Sequence, residues 1–108
     1  MKLLSRNEEY LLLAVRRLGE DAYSTSIRNL LRDETGKSWS YGSIFVSLES
    51  LERKGYLTSS FSSSEPVRGG RSKRIYAVST RGLEALRQAL DAHQSMWAGV
   101  KIELGGTR

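Results

Sequence analysis

The hydrophobic period of this chain changes at a single glycine. Across residues 40–54 the apolar side chains Ile44, Leu48 and Leu51 recur at i, i+4 and i+7, the spacing of a helix with one buried face. Arg53 and Lys54 occupy its last turn, and Gly55 supplies the left-handed exit that a helix C-terminus favours. Beyond Gly55 the period drops to two. Residues 56–61 predict a strand and residues 73–78 its antiparallel partner, with Ile75, Tyr76, Ala77 and Val78 alternating between faces. Between them, residues 62–67 are poor in apolar side chains and hold the only proline, which predicts a loop. The run Arg68-Gly69-Gly70-Arg71-Ser72-Lys73-Arg74 then places four cations in seven residues, on a segment too short and too glycine-rich for a helix.

Three more helices complete the pattern. Residues 7–18 carry Tyr10, Leu11, Ala14, Val15 and Leu18 on one face, with Glu8 and Glu9 in the first turn and Arg16 and Arg17 in the last. Gly19 stops this helix. Asp21 predicts the N-cap of a second, with Ile27, Leu30 and Leu31 as its apolar face and Thr35-Gly36-Lys37 as its end. Ser40 predicts the cap of the third. Neither Asp21 nor Ser40 has Glu or Gln three residues on, so neither makes a capping box. A fourth helix starts at Thr80, where Leu83, Leu86, Leu90, His93, Trp97, Val100 and Leu104 follow a 3-4 repeat.

The order helix, helix, helix, strand, basic tip, strand, helix predicts a mainly α fold with a small β-hairpin. It is a winged helix-turn-helix over residues 1–79 plus a C-terminal dimerisation helix and tail over residues 80–108, in one compact unit. The usual partner of such a fold is the phosphate backbone of double-stranded DNA. A formal charge of +5 and a pI near 9.8 suit a polyanionic partner. The chain has 108 residues and no cysteine, which removes disulfides, thiolate metal sites and a cysteine nucleophile and fits a cytoplasmic setting. No apolar run reaches the length of a membrane span, and residues 1–6 lack the apolar core of a signal peptide. An enzyme is not expected: there is no phosphate-binding glycine signature and no nucleophile elbow, and the serines of residues 59–64 have no histidine nearby in sequence. No cofactor is expected either.

Within the winged-helix reading, residues 40–54 form the recognition helix, whose first turns reach base edges while its free amides face phosphate. Those turns hold Ser40, Tyr41, Gly42, Ser43, Val46 and Ser47. They offer small hydroxyls and one aromatic, but no Arg, Asn or Gln for bidentate pairing with guanine or adenine. Ser43 has two readings, a groove contact or a hydroxyl that satisfies helix amides. Tyr41 is badly placed for a core and is read as functional. The wing, residues 62–74, offers Arg68, Arg71, Lys73 and Arg74 to phosphate or the minor groove, while Gly69 and Gly70 permit positive φ and leave no side chain in the way. Lys37, and Arg28 or Arg32 on the second helix, are further candidates for phosphate.

These residues resemble a family. Glu9-Tyr10-Leu11-Leu12-Leu13-Ala14-Val15, Ala22-Tyr23, Gly42-Ser43-Ile44-Phe45 and the run from Leu48 to Leu57 are similar to the PadR family of bacterial transcriptional regulators. The most specific part is Gly69-Gly70-Arg71-Ser72-Lys73-Arg74-Ile75-Tyr76 followed by Thr80-Arg81-Gly82. The resemblance covers about residues 7–90, and the single C-terminal helix is similar to the compact branch of the family. It implies a homodimeric repressor that binds an inverted-repeat operator, with the last helix forming much of the dimer interface. Phe45 departs from the usual tyrosine, which removes a hydroxyl contact to phosphate. Ser24 replaces a usual glycine, and Tyr41 stands where many members have Pro or Leu.

The fourth helix supports pairing independently, because a stripe running from Leu83, Leu86, Leu90 and His93 to Trp97 and Val100 is too long for so small a domain to bury. Trp97 is read as interface packing; the resemblance also allows it to line an inter-subunit pocket for a small, planar apolar effector. His93 is the only histidine and has no companion at metal-ligand spacing, so packing is its expected role. The competing reading of the whole chain is a winged-helix module for protein interaction or dimerisation without operator binding.

Overall fold

A computed structural model describes residues 2–62 and 73–102 of the chain. The first helix, α1 (Arg6–Leu18), is fixed at its start by a reciprocal pair: Ser5 Oγ accepts from the Glu8 amide at 3.1 Å, and Glu8 Oε1 accepts from the Ser5 amide at 2.9 Å. This capping box was not expected from the sequence, where only Asp21 and Ser40 stood out as caps. Glu8 also accepts from Lys54 Nζ at 2.6 Å, tying the start of α1 to the end of the third helix. The inner face of α1 buries Leu11, Leu12, Ala14 and Val15.

The second helix begins later than Asp21. Residues Gly19–Asp21 form one 3-10 turn, Ala22 follows, fully buried and outside the helical region (φ −87°, ψ 87°), and α2 runs Ser24–Thr35. The delay has a cause downstream: the Ala22 carbonyl accepts from the Tyr76 amide at 2.8 Å, so residue 22 stays out of the helix to bond to a strand. Ser26 then does the capping that Asp21 was expected to do, its Oγ accepting from the Tyr23 amide at 3.0 Å and donating to the Asp21 carbonyl.

The third helix, α3 (Tyr41–Arg53), starts at Ser40 as its sequence predicts, and it buries Ile44, Leu48 and Leu51. Gly55 takes φ of 85°, the left-handed exit. Strands β1 (Leu57–Phe61) and β2 (Arg74–Val78) pair antiparallel with Leu57 opposite Val78 and Ser59 opposite Tyr76. Leu57 and Tyr76 enter the core from that sheet. Lys73 lies just outside the strand, yet its carbonyl accepts from the Ser62 amide and its amide donates to Ser62 Oγ, extending the ladder by one pair. Trp39, in the turn between α2 and α3, also joins the core, a position for which helical and strand periods carry no signal.

The last helix, α4 (Thr80–Trp97), is set against the base of the hairpin. Ser79 caps it by accepting from the Gly82 amide at 3.0 Å, while its own hydroxyl donates to the Gly55 carbonyl at 2.6 Å and its amide to the Tyr56 carbonyl at 3.0 Å. Gly82 is required by proximity: a Cβ there would lie 2.3 Å from the Tyr56 carbonyl oxygen and 2.7 Å from Val78 Cγ1. The expected seam divides in two. Leu86 packs against the core and His93 Nε2 lies 2.9 Å from Glu9 Oε1 on α1, so both are engaged within the chain's own fold. Leu83, Leu90 and Trp97, seven residues apart, form an exposed strip. Val100 is not part of the helix, which ends at Trp97: Ala98 leaves helical backbone (φ −56°, ψ 125°) and Gly99 follows with φ of 79°; Leu104 lies outside the described residues. No described helix is long and apolar enough to cross a membrane.

Two outcomes follow from this packing. Gly82→Ala drives a methyl into a backbone carbonyl and should cost at least about 1–3 kcal/mol, read as a fall in urea midpoint. Gly42→Ala, at an open helical position with nothing nearer than 4.0 Å, should be neutral or stabilising in the same assay. Glu8 offers a test by pH. Burial pushes its carboxyl pKa up, but the bonds from Lys54 and Ser5 outweigh this and hold it below the ordinary value. A depressed carboxyl contributes stability above its unfolded pKa, about 4.3, and loses it as pH falls through the lower folded value. Glu8→Gln should therefore lower stability at pH 7 and flatten the acid limb of the stability curve below about pH 4.3.

Candidate nucleic-acid interface

The exposed side of α3 is decided by what its inner side must bury. With Ile44, Leu48 and Leu51 facing the core, Tyr41, Gly42, Ser43, Phe45 and Val46 are turned to solvent. Ser40 Oγ accepts from the Ser43 amide at 3.0 Å and donates to Ser43 Oγ at 3.0 Å. Ser40 is thus occupied with capping, whereas the Ser43 hydroxyl keeps its own proton for another acceptor. Asn7, Lys37, Ser40, Ser43 and Ser47 line an open polar cleft of about 310 Å³ beside this helix start. It joins the beginning of α1 to the beginning of α3.

Arg28, a phosphate candidate by sequence, is held within the fold. Its Nε donates to the Trp39 carbonyl at 2.7 Å and its guanidinium lies 4.5 Å from the centre of the Tyr41 ring. One cation from α2 therefore fixes both the turn before α3 and the aromatic at its first position. Lys37 Nζ stands 5.9 Å from the Trp39 ring and Lys73 Nζ 4.1 Å from the Tyr23 ring. Both side chains remain at the surface.

Arg74 has a different setting from the rest of the basic run. Its guanidinium donates to Glu49 at 2.7 Å and to Glu52 at 2.8 Å, and its Nε donates to Ser59 Oγ at 3.1 Å. Ser59 in turn donates to Glu52 at 2.9 Å. The bond to Glu49 raises the Arg74 pKa further, so the cation is permanent. Two carboxylates on α3 thus neutralise the charge of Arg74, one of the four cations the sequence assigns to the wing, and the contact fastens β2 to α3. Arg68, Gly69, Gly70 and Arg71 lie outside the described residues.

Phe45 was not among the candidates from sequence. It lies off the Ile44–Leu48–Leu51 line, and that same spacing was the signal: an aromatic off the buried face is exposed, here by 52%.

No protein-family model matches the chain, and no curated protein matches it. Solved structures do. A PadR-like transcription factor from Bacteroides fragilis superposes with a TM-score of 0.72 at 19% identity, over 87% of this chain and 85% of that one. A PadR-like transcriptional regulator from Bacillus cereus gives 0.67 at 20% identity, over 85% and 84%. RosR of H. salinarum gives 0.66 at 23% identity, over 91% and 81%. The winged-helix fold of these proteins is the fold of this chain.

The Arg74 cluster can be checked by a mutant cycle. Arg74→Ala leaves Glu49 and Glu52 facing each other without a cation and should destabilise by about 1 kcal/mol. Adding Glu49→Gln and Glu52→Gln should recover part of that loss in denaturant melts.

Proposed function

We propose that the chain, which shares the fold of PadR-like transcription regulators, is a sequence-specific DNA-binding regulator of that type. It acts as a homodimeric repressor on an inverted-repeat operator. The observation that carries the reading is the placement of α3: one face of its first two turns is exposed at a helix N-terminus, and the hairpin is fastened beside it through Arg74. In this reading α3 enters the major groove, Ser43, Ser47 and Lys37 reach the flanking backbone, and Arg68, Arg71 and Lys73 of the wing supply phosphate contacts around Gly69 and Gly70. Arg74 positions the hairpin rather than touching DNA. The exposed Leu83, Leu90 and Trp97 strip pairs with its copy in a second subunit, setting two recognition helices about one DNA turn apart.

Gel shift against a randomised 30-bp duplex pool tests the DNA reading directly. Binding should weaken steeply with salt, and selection should enrich an inverted repeat. No binding even at low salt would overturn it and leave the winged helix as a protein-interaction module. The wing has its own test: Arg68→Ala with Arg71→Ala should weaken binding to all sequences and flatten the salt slope by roughly 0.9 for each phosphate left unneutralised. For the assembly, Leu90→Glu is cleaner than a change at Leu86, which packs on its own core. It should sediment as a monomer and bind the selected duplex poorly, while an intact dimer would rule out this strip as the interface.

A further inference from the structure

Beside its serines, the outward surface at the start of α3 carries an apolar pair where a groove reader would be expected to carry further donors. Phe45 is 52% exposed and Val46 64% exposed, next to one another, with Gly42 one turn before Val46. Neither side chain is a member of the buried core. A single exposed apolar residue needs no explanation, but a contiguous pair at a helix tip marks a contact surface. Glu49, the next residue along that strip, is withdrawn from solvent chemistry by its bond to Arg74. Gly42 leaves the backbone bare: a Cβ there would meet nothing nearer than Ser40 Oγ at 4.0 Å.

Charge decides what covers this surface. The apolar pair sits on a helix N-terminus, which favours anions, and on a chain of net charge +5 with Lys37 just before the helix. A net positive chain, a helix N-terminus and an apolar pair together suit the DNA major groove, where phosphates flank the base edges. Among the four bases only thymine presents an apolar group there, its C5-methyl. Phe45 and Val46 have no hydrogen-bonding atoms with which to tell guanine from adenine, and Gly42 has no side chain at all.

We propose that Phe45 and Val46 read thymine through its C5-methyl, so that each half-site carries thymine where the first two turns of α3 lie in the major groove. This rests on the DNA-binding reading above. Deoxyuridine isolates the claim, since it keeps the base pair and every hydrogen-bonding edge and removes only the methyl. A duplex selected from the randomised 30-bp pool is made with thymidine and again with deoxyuridine throughout, and both are titrated with the intact protein. The wild type should bind the deoxyuridine duplex about 4-fold more weakly for each methyl that Phe45 or Val46 would have covered. The Phe45→Ala, Val46→Ala double variant should bind the thymidine duplex more weakly and no longer distinguish the two; both side chains are exposed, so the core is untouched. Equal wild-type affinity for the two duplexes, with discrimination against a scrambled duplex retained, overturns the thymine reading alone. A deoxyuridine penalty that persists in the double variant also overturns it, by assigning the effect to DNA shape. Failure of the pool to enrich or bind at all overturns the DNA-binding reading and this one with it.

Discussion

The carbonyls of Gly55 and Tyr56 hold three elements at one point. They lie just past the end of α3, and both accept from Ser79, the residue that caps α4. One residue thus bonds to two successive carbonyls, so α4 cannot start elsewhere without giving up both bonds. Gly82 lets the helix approach closely enough for this to happen. The end of α3, the base of the hairpin and the start of α4 are therefore one joint. Lys54, reaching back to Glu8, brings the beginning of α1 to the same neighbourhood.

Around that joint the molecule divides its surfaces by what each helix has already buried. Once Ile44, Leu48 and Leu51 are committed to the core, the remaining side of α3 has no choice of direction. The same holds for α4, where Leu86 and His93 are engaged with the rest of the chain and Leu83, Leu90 and Trp97 are left outside. The proposed DNA surface and the proposed subunit contact are in this sense remainders, set by packing on the opposite faces.

Much of the fold was legible because it is written in local periods and caps. The change from period 3.6 to period two at Gly55, the Ser40 cap and the short wing strands needed no tertiary knowledge. What was illegible depended on partners distant in sequence. The start of α2 could not be placed at Ser24 without knowing that Ala22 pairs with Tyr76, far along the chain. The seam of α4 looked like one stripe because the side chains that divide it, Glu9 and the core around Leu86, lie on other elements. In the candidate site, the basic run was visible as composition, but composition cannot separate a free cation from Arg74, whose partners are on α3. Phe45 is the opposite case: the helical period alone puts it outside, yet an apolar side chain does not advertise itself as a groove contact in the way a polar one does.

The Arg74 contact makes the hairpin something other than an appended loop. A guanidinium held by two carboxylates a turn apart resists both sliding and rotation, as a single bond would not. In mechanical terms β2 is bolted to α3 at Glu49 and Glu52, just beyond Val46. A force applied along the hairpin is delivered to α3 as torque, and the two cannot tilt independently without breaking an ion pair first.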